Sequence, residues 1–369
     1  MTLPAKIGSG ILALIVVAVI VLAAALAHNS APAPAQPLPR NAVLMRAIVY
    51  RQYGPPDVLT LEEVRKPTPA ANELLIKVHA ASVNPLDWHY MRGAPYIIRL
   101  ERGIGAPKFN RIGVDFSGTV EAVGAEVRQF KVGDPIFGTA DGALADYVTS
   151  TEVGLALKPA NISFEQAAAV PVAGLTALQG LRDYAHVARG QKVLINGASG
   201  GVGTFAVQIA KAFGAEVTGV CSTRNVDLVR SIGADHVIDY TREDFTRTGS
   251  RYDVIFDAVG NRGVRDLERS LTPRGVVVLV GAAPSLEPWL GPLEGLMKVR
   301  VLSPFLHHRY VSFFADANKT ADLDTLRDLI QSGKVTPVID RRYPLSEAPA
   351  AMRYLEAGHA RGKVIIGVN

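Results

Sequence analysis

The chain is poor in the residues that would announce a metal cluster or a disulfide framework. Cys221 is its one cysteine among 369 residues, which excludes an intramolecular disulfide and any multi-cysteine zinc site. At the end of an apolar run, Cys221 reads as a small packing residue rather than a nucleophile. The eight histidines are scattered, and only His307 and His308 are adjacent. Adjacent side chains seldom aim at one metal without further ligands, so no metal is expected. Charged residues make up 20% of the chain, and its net charge of +5 is not gathered into a dense Lys/Arg run. Nucleic-acid binding is therefore not expected.

What is present is a glycine turn in an informative setting. Val193-Leu194-Ile195-Asn196 is an apolar strand that runs into Gly197-Ala198-Ser199-Gly200-Gly201-Val202-Gly203, and the spacing from Val202 to Phe213 is helical, with Gly214 placed as a stop. A second apolar strand follows at Glu216–Val220. A strand ending in such a turn lets backbone approach a pyrophosphate, while the amides and dipole of the next helix face its charge. An NAD site would carry Asp or Glu at the end of the second strand; this chain has Cys221-Ser222-Thr223-Arg224. A hydroxyl and a guanidinium suit a 2′-phosphate, which favours NADPH.

The same turn also spells G-x-S-x-G, with Ser199 where a hydrolase nucleophile elbow would place it. Asp257 and the later His307, His308 and His359 complete a Ser, Asp, His order, so a serine hydrolase is the rival reading, although no separate oxyanion-loop motif precedes Ser199.

The chain length suggests two domains plus appendages. From Met45 short β-like runs alternate with Gly, Pro and Asp turns, at Arg46–Tyr50, Leu74–Ala80, Gly118–Val123, Pro135–Gly138 and Leu144–Val148. From about Phe164 the rhythm turns to strand and helix, with apolar strands at His236–Asp239, Val254–Asp257 and Val276–Val280, which implies a doubly wound parallel sheet. A helix over Leu323–Ser332 and strands at Val335–Asp340 and Lys363–Val368 are expected to return to the first domain and complete it. The boundaries read as 45–165 and 306–369 for the catalytic domain and 166–305 for the cofactor domain.

Ahead of these lies an apolar run over Ile11–Ala27, long enough for a bilayer-crossing helix, and then a proline-alanine linker, 29–44. Residues 1–28 are read as an uncleaved anchor with the catalytic body in the cytoplasm, where NADPH is regenerated. A signal peptide cleaved at Ala25-Leu26-Ala27, or translation from Met45, are the alternatives.

Four motifs follow in order along the body: Ser82-Val83-Asn84-Pro85-Leu86-Asp87-Trp88, Gly113-Val114-Asp115-Phe116-Ser117-Gly118, Phe130-Lys131-Val132-Gly133-Asp134-Pro135-Ile136-Phe137-Gly138 and Val170-Pro171-Val172-Ala173-Gly174-Leu175-Thr176-Ala177. On them the body from Met45 to Asn369 resembles the zinc-free, quinone oxidoreductase-like and alkenal reductase-like branch of the medium-chain dehydrogenase/reductase superfamily. It implies an α/β chain with a GroES-like β-barrel catalytic domain and a Rossmann cofactor domain. Where zinc alcohol dehydrogenases carry ligands, this chain has Asn84, Val114 and Val172, so the implied chemistry is NADPH-dependent conjugate reduction of a quinone or an α,β-unsaturated carbonyl. The resemblance places Thr176 near the nicotinamide and Ala198, Ser199, Gly200, Gly201, Val202 and Gly203 on the pyrophosphate. It assigns Ser222 and Arg224 to the 2′-phosphate and Tyr240 to the adenosine phosphate, and adds Val259 and Gly281 to the cofactor set.

Asn84 resembles the polar residue facing the nicotinamide or substrate carbonyl. His89 departs from the Tyr or Lys usual five positions on, and an imidazole there could donate the proton. No tyrosine is followed four residues later by lysine, which disfavours a short-chain dehydrogenase. Pro95, Tyr96, Ile97, Ile98 and Phe109 in the loop 93–110, with Trp289 and Phe305, suggest an apolar acceptor pocket for a small hydrophobic substrate. Gly275–Val280 and Val299–Leu302 are the strands nominated for a homodimer edge. A non-catalytic NADPH-sensing or RNA-binding relative is the other alternative.

Overall fold

Apolar runs buried on both faces build the second half of the molecule. In the computed structural model, which describes residues 16–32, 34, 38, 41–281, 289, 297, 301 and 306–368, Lys192–Asn196 and Tyr252–Asp257 are almost wholly buried. Such strands suit the centre of a parallel sheet covered by helices on both sides. The sheet has six parallel strands in the order His236–Asp239, Glu216–Cys221, Lys192–Asn196, Tyr252–Asp257, Leu271–Leu279 and Arg309–Ser312. Numbered along the chain this is 3-2-1-4-5-6, so strand order reverses between Lys192–Asn196 and Tyr252–Asp257, and their carboxyl ends open the crevice where α/β sheets bind ligands. Phe205, Phe256, Leu175 and Leu326 meet in the core on one face.

The first half is antiparallel except for its outermost pair, Ile339–Pro344 on Lys363–Gly367, which is parallel. Its sheet runs Ile339–Pro344, Lys363–Gly367, Glu73–Val83, Asp115–Val123, Pro135–Thr139 and Leu155–Leu157, with Tyr147–Thr151 also pairing with Glu73–Val83. Leu44–Val49 and Thr60–Arg65 form a separate ribbon. The two last strands return to this sheet as expected, Val364 lying opposite Val83 and Ile366 opposite Ala81. Phe116, Leu74, Ile76, Trp88 and Ile366 share its core.

Several expectations are corrected. The strand expected at Leu144–Val148 lies at Tyr147–Thr151, because Leu144 and Ala145 are buried through irregular backbone instead. The strand expected at Val335–Asp340 begins at Ile339, while Val335 packs into the cofactor-domain core. Leu271–Leu279 cannot offer the nominated dimer edge, since Tyr252–Asp257 covers one side of it and Arg309–Ser312 the other. Of the second nominated strand only Val301 is described, and Phe305 lies outside the described residues.

The N-terminal anchor is overturned as well. No helix among the described residues is long and apolar enough to cross a membrane, so the membrane partner and the anchored localisation fall with it. The described helix covers 16–27, with residues 1–15 outside the description. Its end is tied to the body rather than held off it: Arg99 Nη1 donates to Leu26 O at 2.8 Å and His28 O at 3.1 Å, and Ser30 N donates to Gly105 O at 2.8 Å.

Candidate active site

The glycine turn stands at the switch point. Helix Gly201–Ala212 begins without a side-chain cap, so its first amides face outward as donors. A Cβ at Gly203 would stand 2.0 Å from Gly197 O, which makes glycine obligatory for the close packing of helix on turn. At Gly200 the nearest neighbour of a Cβ is Gly197 O at 3.4 Å, so the space above this residue is open to a ligand. Ala198 is fully buried beneath the turn.

Across the crevice, Asp257 is fully buried and its Oδ1 accepts from Asn196 Nδ2 at 2.8 Å, Val259 N at 3.0 Å and Gly260 N at 2.8 Å. Those bonds fix the loop that carries Val259, and Gly281 N reaches Asp257 O at 3.2 Å. Turn, Val259 and Gly281 thus meet at the carboxyl ends of adjacent strands.

The loop after Glu216–Cys221 forms a wall beside the glycine turn. Asn225 Nδ2 donates to Ser199 Oγ at 2.9 Å and to Ser222 Oγ at 3.2 Å, which holds both hydroxyls along one wall. Arg224 is exposed and donates from Nη2 to His359 O at 2.8 Å. Tyr240 is 55% exposed, so its ring is available as a platform. Burial pushes the Cys221 thiol up to about 11, which leaves it inert beside this wall.

A hydrolase triad is not assembled. Ser199 hydrogen-bonds Asn225, Asp257 serves backbone amides, and His308 Nε2 lies 3.1 Å from Thr272 O, with its Nδ1 3.6 Å from Glu268.

The catalytic side holds a buried polar cluster that sequence reasoning found only in part. Lys363 is 3% exposed; its Nζ donates to Asn84 Oδ1 at 2.5 Å and stands 3.3 Å from Asp115 Oδ2. Asn84 Nδ2 and Ser82 Oγ donate to the same Asp115 oxygen at 2.9 and 3.1 Å, and Val172 N donates to Asp115 Oδ1 at 3.0 Å. Both ends of the Asn84 amide are thereby engaged, leaving one amide hydrogen for a ligand. A Cβ on Gly201 would lie 3.2 Å from Lys363 Cδ, so this lysine reaches from the last strand of the first sheet to the start of the cofactor-domain helix.

Asn84 also opens helix Pro85–Arg92, its N–H donating to Asp87 Oδ2 at 2.7 Å. Burial raises the Asp87 carboxyl from 3.8 to about 7, the Asn84 hydrogen bond opposing and Asp115 adding to the shift. The other Asp87 oxygen has no hydrogen-bond partner among the described residues.

His89 stacks on Trp88, ring centroids 3.8 Å apart, and its Nδ1 donates to Ala94 O at 2.7 Å. Burial lowers its pKa, so the ring is neutral and only Nε2 remains for a ligand. Thr176 Oγ1 donates back to Val172 O at 2.7 Å within its own helix. At the zinc-ligand positions Asn84 is bonded to Lys363 and Asp115, and the valines at 114 and 172 offer no side-chain donor atom.

Two family models match the chain. One described as zinc-binding dehydrogenase matches residues 232–366, and one described as alcohol dehydrogenase GroES-like domain matches residues 70–160. The chain is 34% identical over 340 residues to a chloroplast envelope quinone oxidoreductase homolog of Arabidopsis thaliana, covering 88% of this chain and 98% of that one. It is 35% identical to a chloroplastic NADPH-dependent alkenal/one oxidoreductase of the same plant, over 87% of this chain and 79% of the other. Among solved structures, a quinone oxidoreductase from Coxiella burnetii superposes with a TM-score of 0.78 at 33% identity, over 89% of this chain and all of that one.

Proposed function

The chain belongs to the quinone oxidoreductase-like branch of the medium-chain dehydrogenase/reductase family, and on that footing we propose that it is an NADPH-dependent, zinc-independent reductase of quinones and α,β-unsaturated carbonyls. The observation that carries the reading is the meeting of the open glycine turn with the Asn84, Asp115 and Lys363 cluster across the crevice between the two sheets.

The residues fit NADPH. The space over Gly200 and the outward amides of Gly201 and Val202 suit a pyrophosphate. Ser222 and Arg224 are the donors for a 2′-phosphate, and no carboxylate stands at positions 221–224 to repel it. Tyr240 borders the adenosine, while Val259, Gly281 and Thr176 line the way to the nicotinamide. NADPH, when bound, supplies the hydride. Asn84 presents its remaining amide hydrogen toward the acceptor carbonyl, and Lys363 and Asp115 hold that amide in one orientation. Lys363 adds a buried positive charge that favours electron density collecting on the acceptor oxygen. Water completes protonation, because the neutral His89 ring carries its proton on Nδ1 and offers Nε2 only as an acceptor. Self-association through the outer strand Arg309–Ser312, in place of Leu271–Leu279, belongs to the same reading and is checked by sedimentation velocity.

The test is the loss of NADPH absorbance by the full chain with a panel of quinones and enones, with NADH alongside. Turnover with NADPH far exceeding that with NADH is expected. Tight NADPH binding without turnover on any acceptor would favour the sensing relative, and absence of binding would sink the cofactor reading.

A further inference from the structure

Arg99 is a buried cation with no carboxylate partner among the described residues. It is 3% exposed, and its guanidinium lies between the rings of Tyr53 and Tyr96, 4.5 and 4.6 Å from their centroids. Among the described residues its acceptors are all backbone carbonyls: Gly93 O at 2.8 Å, Leu26 O at 2.8 Å and His28 O at 3.1 Å. Leu26 O belongs to the last turn of the helix over 16–27 and His28 O to the residue just beyond it, where the helix dipole places partial negative charge. A desolvated guanidinium needs such partners, because leaving one unsatisfied costs more than an ordinary hydrogen bond contributes. The chain before residue 31 is therefore fastened at two points, at Arg99 and through the Ser30 amide to Gly105 O.

The fastened stretch borders a cavity of about 210 Å³, lined by Asn29 from this stretch, by Trp88 and Arg92 from the helix that Asn84 opens, and by Ala94, Tyr96 and Tyr53. Trp88 stands one helical turn beyond Asn84. The Tyr96 ring meets Trp289 edge-on at 4.9 Å, so the loop on which Arg99 sits also touches the chain leaving the cofactor sheet. Cavities that take drug-sized ligands measure roughly 300–1,000 Å³, and this one is smaller.

Resting on the function proposed above, we propose that residues 26–30 form the outer wall of the acceptor pocket and restrict this enzyme to compact acceptors, with Arg99 as the residue that holds the wall in place. Arg99 is a positioning residue: it acts on the acceptor through the wall.

Two variants cut the wall free from different ends. Arg99→Met keeps the stem and removes the donors; Ser30→Pro removes the amide bonded to Gly105 O and leaves Arg99 intact. The full chain is assayed at saturating NADPH with a one-ring and a two-ring quinone. Both variants are expected to raise kcat/KM for the two-ring relative to the one-ring quinone about tenfold, through KM, with NADPH affinity unchanged. An unchanged ratio in a variant that binds NADPH as the wild type does overturns the proposal, and Ser30→Pro decides alone where Arg99→Met does not fold. Where the wild type turns over neither quinone, the functional reading fails by itself. The wall is then judged by calorimetric binding of the two quinones, where unchanged relative affinity in Ser30→Pro rejects it.

Discussion

Replacing Asp87 by Asn should change the way stability depends on pH. The Asp87 carboxyl is fully buried, one of its oxygens has no partner, and burial raises it from 3.8 to about 7 in the fold. In the unfolded chain it titrates near its ordinary value, so between about pH 4 and about pH 7 the folded state binds more protons than the unfolded one. Stability from this group is therefore whole below about pH 4, falls as pH rises, and has lost its full share above about pH 7. At about 1.4 kcal/mol per pH unit the loss approaches roughly 4 kcal/mol as an upper bound.

Asn in this place still offers an oxygen to the Asn84 N–H, while its amide hydrogens enter a pocket with no acceptor, at a cost of about 1–3 kcal/mol that does not depend on pH. The variant should accordingly be less stable than the wild type near pH 4 and equal or more stable above pH 7. Urea midpoints for both proteins across this range give the difference directly, and differencing removes the other carboxylates. Asp183, Asp235 and Asp244 lie below their ordinary values through their arginine, lysine and backbone partners, and contribute in the opposite direction. Parallel curves, with a constant difference from about pH 4 to about pH 8, would refute the argument.

Lys363→Met should strand Asp115 and Asn84 and cost about 3–5 kcal/mol, read from urea midpoints, with turnover falling at least tenfold; a shift below about 1 kcal/mol would mean the pair does not hold the site. Gly200→Ala should weaken NADPH binding at unchanged Tm, because its Cβ enters open space, whereas Gly203→Ala should lower Tm sharply, because its Cβ meets Gly197 O. Calorimetric titration and thermal melts separate the two, and identical behaviour would count against the cradle. Arg224→Ala should raise the Kd for NADPH about tenfold, equivalent to about 1.4 kcal/mol, and leave the Kd for NADH unchanged; an equal effect on both cofactors removes the 2′-phosphate contact.

The cofactor half was readable because its signals are local. Val193 to Ile195 and Val254 to Phe256 are short apolar runs that suit only buried parallel strands, and the glycine turn follows the first of them directly. Asn84 was readable only through the resemblance carried by Ser82 to Trp88. Lys363 was not: beside Arg361 and Gly362 it reads as a solvated basic residue, and its partners Asn84 and Asp115 lie 279 and 248 positions away. Only the antiparallel pairing of Lys363–Gly367 with Glu73–Val83 brings them together. The N-terminal segment misled for a related reason. Its apolar run is long enough in sequence for a bilayer, but the described helix is not, and the bond that ties its end, from Arg99 to Leu26 O, spans 73 positions.

The strand that carries Lys363 also sets the order in which this protein can come into being. All six strands of the parallel sheet are synthesised before it, so that half can gather its core while the first half still lacks the strand that separates Ile339–Pro344 from Glu73–Val83. Until residue 363 leaves the ribosome, Asn84 and Asp115 wait without their cation. On the proposed function, the cofactor half is complete along the chain before the residue that holds Asn84, and a chain interrupted shortly before Lys363 is expected to bind NADPH without reducing an acceptor.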